Sequence, residues 1–230
     1  MPAPHFYYDD TYTDAVSEKS RFPKTRYRLV RRELEARGLV GHQMHLERPR
    51  RAKRWELELI HDADHVESFL EGTLSDDQVR RIGFRPWTET CVERTLRLTG
   101  GALEAYERLA DGDRLAGNLA GGTHHAFADA GAGYCVFNDL AICARRALRE
   151  GVAEQVAIVD LDVHQGDGTA RIFAGVPEVA TFSMHCADNF PFRKQTSDRD
   201  VSVPENTGDD AYLEHLEATS AGDTGEVTRI

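Results

Sequence analysis

Polar residues that could bind a metal ion stand at the end of an apolar segment. Residues 156–163 alternate in a way that predicts a β strand, with Asp160, Asp162 and His164 on one face. The opposite face carries the apolar residues Val159, Leu161 and Val163. Successive positions on one face lie about 6.6 Å apart, so a carboxylate and an imidazole two residues apart can lean onto one ion. The segment therefore predicts a metal site.

The alternative interpretation is a strand end whose acids only cap the next helix, predicted from Thr169 to Phe173. It would explain Asp167, but two unpaired acids beside a buried strand, Asp160 and Asp162, would be costly to desolvate. Glycines on both sides of Asp167 break the strand and present a further acid at its carboxyl end. Open α/β sheets bind ligands at that end, which favours the metal site.

Two adjacent histidines, His124 and His125, follow a short apolar run and lie in a glycine-rich segment, residues 121–127. Neighbouring residues of a regular strand point to opposite faces, whereas a loop can turn both side chains into one cavity. Two exposed loop histidines are the alternative. Asp160 and Asp167 remain once Asp162 and His164 bind a metal, and each could accept the Nδ1 hydrogen of one imidazole. Such a pair suits general acid–base catalysis near neutral pH.

Taken together, the motifs resemble the zinc-dependent histone deacetylases and their bacterial relatives. The tandem histidine, the segment 133–139 and the Asp-x-Asp-x-His-x-Gly-Asp-Gly run at 160–168 occur in that family's order and spacing. The segments 181–186, 190–194 and 208–210 look most like its class IV branch. The resemblance covers about residues 5 to 217.

The resemblance implies hydrolysis of an acylated lysine or related amine. It makes Asp162 and His164 two of three zinc ligands, and His124 and His125 a catalytic pair in which His125 is the base. Their respective partners would be Asp160 and Asp167. The channel walls for the acyl-lysine stem would be Gly133, Tyr134 and Phe190. The resemblance also implies a monovalent cation, such as K⁺, behind the zinc site. It would lie against Asp160, Asp162, His164, Ser183 and Met184.

Composition narrows the class of protein. The 230 residues could bury one sizeable core, and 40% of them are hydrophobic. A net charge of -11 argues against direct nucleic-acid binding and would attract cationic substrates. The expected partner is an acylated lysine peptide or an acylated small amine. The sequence has no long apolar segment, so we expect no membrane contact. Its four cysteines lack the paired spacing of a metal site, so we expect reduced thiols in a cytoplasmic protein.

Helices and strands alternate along the chain, which predicts a three-layer α/β fold with a mostly parallel sheet covered by helices. The long helical pattern from Thr88 to Ala110 contains Gly100 and Gly101, and we expect these two residues to kink or divide it. The strand that begins at Val156 is expected to continue to Val163.

The C-terminal end departs from the family pattern. Family members continue with two strands, the third zinc-binding aspartate and a tyrosine on a glycine-rich loop, and none of these is recognisable here. The segment 221–223 resembles the aspartate motif only weakly, since no apolar strand precedes it. We therefore expect an incomplete domain at 1–217, truncated before two interior strands, and an unassigned tail at 218–230. Without these two interior strands the sheet would be divided, and two strand edges would be unpaired.

Three functions fit these observations. A zinc-dependent deacylase would turn over an acetyl-lysine reporter, whereas a catalytically impaired fragment would act only by binding. A binuclear manganese ureohydrolase would share the fold but bind two ions per chain, and the tandem histidine fits it less well than the deacylase.

Overall fold

The computed structural model of the chain describes residues 2–14, 16, 18–20 and 22–221. Strands and helices alternate within these residues. The strands are β1 (His5–Tyr7), β2 (His45–Glu47), β3 (Ala116–Asn118), β4 (Val156–Asp160), β5 (Val179–Cys186) and β6 (Arg199–Val203). The helices are α1 (Thr11–Asp14), α2 (Thr25–Ala36), α3 (Arg54–Leu57), α4 (Ala63–Glu71), α5 (Asp76–Ile82), α6 (Glu89–Ala110), α7 (Asp139–Arg149), α8 (Asp167–Phe173) and α9 (Asp209–Ala221).

All strand pairs are parallel, and the described strands form two separate sheets. The first has the order β2-β1-β3 and the second the order β4-β5-β6. In the second sheet Asp160, the last residue of β4, stands opposite Ser183 of β5. The predicted α/β class with parallel strands and covering helices is confirmed. Among the described residues, β3 and β4 are each paired on one side only.

Helices cover both faces of the second sheet. On one face Ile158 and Val179 pack with Phe173 of α8 and with alanines of α7. On the other face Met184 packs with residues of α9, so helix, sheet and helix form three layers. The largest apolar cluster lies beside this sheet, where α4, α6 and α7 meet around the fully buried Phe137.

Helix α6 is continuous from Glu89 to Ala110, so its glycine pair does not divide it. A Cβ atom on Gly100 would collide with the backbone carbonyl of Arg50, and one on Gly101 would lie 2.8 Å from the Asn118 amide nitrogen. Both glycines therefore let another segment approach the helix closely. Burial of the surrounding helix outweighs the roughly 1 kcal/mol by which a helical glycine is less favourable than alanine.

Strand β4 ends at Asp160, three residues earlier than predicted, so the expected metal ligands lie in the following loop. Its apolar face is also less buried than expected. Val159, Leu161 and Val163 are each about half exposed. Val159 faces a groove of about 550 Å³ between β3 and β4, whose floor is formed by small residues of α6 and α7.

Two further observations concern the expected compartment. The four cysteines are all unpaired, and Cys91, Cys135 and Cys186 are buried. None of the described helices has the length and apolar character that a bilayer crossing requires.

Candidate active site

The loop that carries the tandem histidine is fixed by a buried polar network. Asp139, at the start of α7, accepts hydrogen bonds from the backbone nitrogen of Thr123 (3.0 Å) and from its hydroxyl (2.8 Å). Asn138 caps α7 and donates from its side-chain amide to the carbonyl of Ala126 (3.3 Å) and to the Thr169 hydroxyl (2.9 Å). The start of α7 and the start of α8 therefore hold the loop from both sides.

A buried histidine that the sequence analysis did not single out, His61, completes this network. Its Nε2 accepts a hydrogen bond from the backbone nitrogen of Asn138, and its Nδ1 lies 2.9 Å from the carbonyl oxygen of Phe127. Nδ1 must therefore carry the hydrogen and Nε2 must be free of one, which is the neutral imidazole. Burial lowers the pKa of His61 to about 4.

The structure places each histidine of the pair against its own carboxylate. His124 Nδ1 lies 2.6 Å from Asp160 Oδ2, and His125 Nδ1 lies 2.6 Å from Asp167 Oδ1. Because an ionised carboxylate only accepts, Nδ1 donates in both pairs and Nε2 of each ring is left to act in the cavity. The two ring centroids are 4.0 Å apart.

The two environments shift the two pKa values in opposite directions. Burial alone would lower the pKa of His124, but the hydrogen bond to Asp160 and the nearby carboxylate charges outweigh it, and the pKa is raised. Burial also lowers the pKa of His125, and there the bond to Asp167 does not fully offset it. His125 is thus the histidine that more readily stays neutral, as a general base must.

The expected zinc ligands lie together in the loop after β4. Asp162 Oδ1 is 2.8 Å from His164 Nδ1 and also accepts from the His164 backbone nitrogen. Burial would raise the pKa of Asp162, but these hydrogen bonds outweigh it and lower the pKa. An ionised carboxylate beside an imidazole nitrogen is a donor set that fits zinc. His124 Nε2 lies 4.0 Å from Asp162 Oδ1.

Imidazole nitrogens also cluster at this point. The ligand atoms of His124, His125 and His164 lie within 4.8 Å of one another. The sequence analysis did not group these three side chains, because the tandem histidine and His164 belong to separate motifs. Two of the three rings already pair through Nδ1 with Asp160 and Asp167.

Two glycines of the motifs are needed because side chains of the site lie against them. A Cβ on Gly133, whose φ is 54°, would lie 2.6 Å from Cδ2 of His125. A Cβ on Gly166 would collide with Asp160 Oδ2. Larger residues at either position would displace a histidine or its carboxylate.

The expected channel residues line one cavity of about 400 Å³ together with the tandem histidine, Asp162 and His164. The Phe190 ring stands edge-on to His125, with 4.8 Å between centroids. Tyr134 has a left-handed backbone (φ 65°) and packs against Phe22 and Phe84, with centroids 5.0 and 5.6 Å away. Gly133, Tyr134 and Phe190 therefore border the same space.

Two of the residues expected at a monovalent cation site, Ser183 and Met184, are buried on β5. Ser183 stands opposite Asp160, but its hydroxyl oxygen lies 3.0 Å from Nδ1 of His185. The Met184 side chain packs in the apolar cluster under α9. The cation site stays a prediction.

Comparison with known sequences decides the family. A sequence model described as the histone deacetylase domain matches residues 20–222. The chain belongs to the histone deacetylase family. A relative from Picosynechococcus, an uncharacterized protein, is 45% identical over 216 residues, which is 94% of this chain and 71% of the relative.

Other relatives in the family share a smaller part of their length with this chain. The acetoin utilization proteins AcuC of Staphylococcus aureus and Bacillus subtilis are 35% and 32% identical over 152 residues. That is 63% of this chain and 39% of those proteins. The solved HDA15 HD domain superposes with a TM-score of 0.71 at 20% identity, over 90% of this chain and 63% of that one, and so shares the fold.

Proposed function

We propose that the chain is the deacylase part of a metal-dependent amidohydrolase, which cleaves the amide of an acylated lysine or an acylated small amine. The observation that supports this most is the pairing of His124 with Asp160 and of His125 with Asp167 in one cavity that also contains Asp162. Membership of the histone deacetylase family supports hydrolysis of an amide.

In this proposal His125 takes a proton from the attacking water and later gives it to the leaving amine. Asp167 holds the Nδ1 hydrogen of His125, so that Nε2 points its lone pair at the water. His124, whose pKa is raised, stays protonated at a higher pH and stabilises negative charge that develops on the scissile carbonyl oxygen.

Asp162 and His164 would hold the zinc ion, which polarises a carbonyl and makes a bound water more acidic. Catalytic zinc is usually held by three protein ligands and a water. Among the described residues that line the cavity, Asp162 is the only acid. We therefore propose that Asp162 and His164 alone hold zinc weakly, and that K⁺ lies behind them at Asp160, Ser183 and Met184.

The substrate's stem would lie between Tyr134 and Phe190, where an uncharged extended chain can be enclosed by aromatic rings. The net charge of -11 favours a cationic amine or peptide around that stem and disfavours nucleic acid. A cytoplasmic location fits the four unpaired cysteines. We place the domain at 1–217, although α9 continues to Ala221.

The proposal is tested by turnover of an acetyl-lysine peptide reporter with added zinc. We expect His125→Ala to lower kcat at least about a hundredfold, since the water loses its base and the amine its acid. His42→Ala is the matched control, because His42 is an exposed histidine outside the cavity. Wild-type turnover by His125→Ala would refute the assignment. Stoichiometric peptide binding without turnover by wild type would favour the alternative, a domain that acts only by binding.

A further inference from the structure

One buried side chain, that of Gln165, connects the loop of His164 to the loop between β5 and β6 that carries Phe190. Gln165 follows His164 directly and is 1% exposed. Its Oε1 accepts a hydrogen bond from the backbone nitrogen of Gln195 at 2.8 Å, and its Nε2 donates to the carbonyl of the same residue at 2.8 Å. Nε2 also donates to Asp200 Oδ1 at 2.9 Å. Both donors and the acceptor of the amide are therefore used between the two loops.

A lysine makes the second connection, from Gln195 to Phe190. Lys194, the residue before Gln195, donates from Nζ to the carbonyl oxygens of Asn189 at 2.6 Å and of Pro191 at 2.7 Å. These two residues stand on either side of Phe190. Hydrogen bonds from a charged donor are stronger than those between neutral groups. The backbone at Phe190 is therefore held by its own loop, at a fixed place relative to Gln195.

Together these contacts form a closed circuit that begins and ends at His164. The circuit runs along the chain to Gln165, across to Gln195, back to Lys194 and on to Phe190, whose ring lies 6.1 Å from that of His164 between centroids. An edge-on contact between two rings is weak compared with several buried hydrogen bonds. The hydrogen bonds of Gln165 and Lys194 therefore determine where the Phe190 ring lies.

We propose that Gln165 and Lys194 are positioning residues that hold Phe190 against His125 and so set the width of the substrate channel, and this proposal rests on the proposed function for the acyl-lysine stem. Neither residue is among the described residues that line the cavity, so both act through Phe190, which does line it. The Phe190 ring is 4.8 Å from His125 between centroids, so a shift of the loop changes the space beside the catalytic pair.

The kinetic test uses the full chain, an acetyl-lysine peptide reporter and added zinc. Gln165→Met and Lys194→Met should each raise KM about tenfold and change kcat less than about threefold, because the stem loses one wall while His125 keeps its bond to Asp167. Gln195→Ala is the matched control and should behave as wild type, since the circuit uses only backbone atoms of Gln195. A lower melting temperature with unchanged KM in both variants would mean a merely structural role and overturn the proposal.

A double-mutant cycle shows whether the effect passes through Phe190. In a Phe190→Ala background the ring is already absent, so Lys194→Met should leave KM within about twofold of the background value. Additive effects of the two substitutions on KM would overturn the proposal.

The position of Phe190 is also measured without catalysis, by fluorine NMR of chain labelled with para-fluorophenylalanine. The Phe190 resonance is the one that Phe190→Leu removes. It should shift in Gln165→Met and in Lys194→Met and stay in place in Gln195→Ala. Should Gln165→Met not fold, Lys194→Met decides, because Lys194 is only partly buried. A shift in a chain without turnover would refute the proposed hydrolysis and support the positioning of Phe190, whereas an unchanged resonance in the folded variants would overturn the positioning whether or not the chain hydrolyses the reporter.

Discussion

Acidification should destabilise the fold through His61, the imidazole that joins the tandem-histidine loop to α7. Burial lowers its pKa to about 4 from an ordinary value of 6.5. Between those pH values the unfolded chain takes up a proton on His61 and the folded chain does not, so stability present above about pH 6.5 is lost as the pH falls. At a pH below both pKa values, the difference between them lowers the free energy of unfolding by about 3 kcal/mol. About 2 kcal/mol of that loss has occurred by about pH 5.

The measurement is urea unfolding, followed by tryptophan fluorescence, at several values between about pH 7.5 and about pH 5. Burial also lowers the pKa of His65, His125 and His185, so the wild-type curve alone does not isolate His61. The test is the difference between wild type and His61→Gln, which keeps a neutral donor and acceptor. That difference in unfolding free energy should shrink by about 2 kcal/mol over this range.

His42→Gln is the control for His61→Gln, because it changes an exposed histidine in the turn before β2. Its difference from wild type should be constant across the range. A constant difference for His61→Gln as well would mean that this imidazole is not held neutral between Phe127 and Asn138, and the account of the loop would fail.

Three further predictions concern the cavity. Asp167→Asn should lower kcat on an acetyl-lysine reporter by at least about a hundredfold, since His125 loses the acceptor that fixes its tautomer; unchanged kcat would contradict this role. Tyr134→Ala should raise KM more than it changes kcat and leave zinc affinity unchanged in titration calorimetry, and equal kinetics would contradict its position at the stem. Asp162→Ala should abolish the weak zinc binding expected of the wild type, whereas retained or tight stoichiometric binding would show that other residues hold the ion.

Local pattern was sufficient for the parts of the fold that depend on neighbouring residues. Polar and apolar alternation predicted β4, and the helical pattern from Thr88 to Ala110 predicted α6 with both ends within one residue of those observed. The short helix α5 was missed, although Ser75 and Gln78 form a capping box that could have identified its start.

The errors arose where distant segments decide the local structure. Gly100 and Gly101 suggested a break in α6, but they serve the close approach of Arg50 and Asn118, which sequence does not reveal. The strand predicted from Val156 is too long. After Asp160 the backbone N–H groups bond to side-chain carboxylates and no longer to a neighbouring strand. The Asp160 carboxylate accepts the backbone hydrogen of Asp162, and the Asp162 carboxylate accepts that of His164.

Sequence motifs also could not reveal which residues outside the motifs lie in or beside the cavity. Phe22, Phe84 and Arg94 belong to three different segments, and none stands beside a recognisable motif. Phe22 and Arg94 line the cavity with the tandem histidine, and Phe84 packs against Arg94 and Tyr134. Residues within a motif can therefore be identified by their spacing, whereas other residues that line the cavity depend on tertiary contacts.

The charges that line the cavity bear on the acyl group of the proposed reaction. Arg94 and Arg26 both line the cavity, and Asp162 is the only acid among its described lining residues. Like charges repel, so in the proposed reaction an acyl group that ends in a cation would be disfavoured, because its charge would approach two arginines with one carboxylate to offset them.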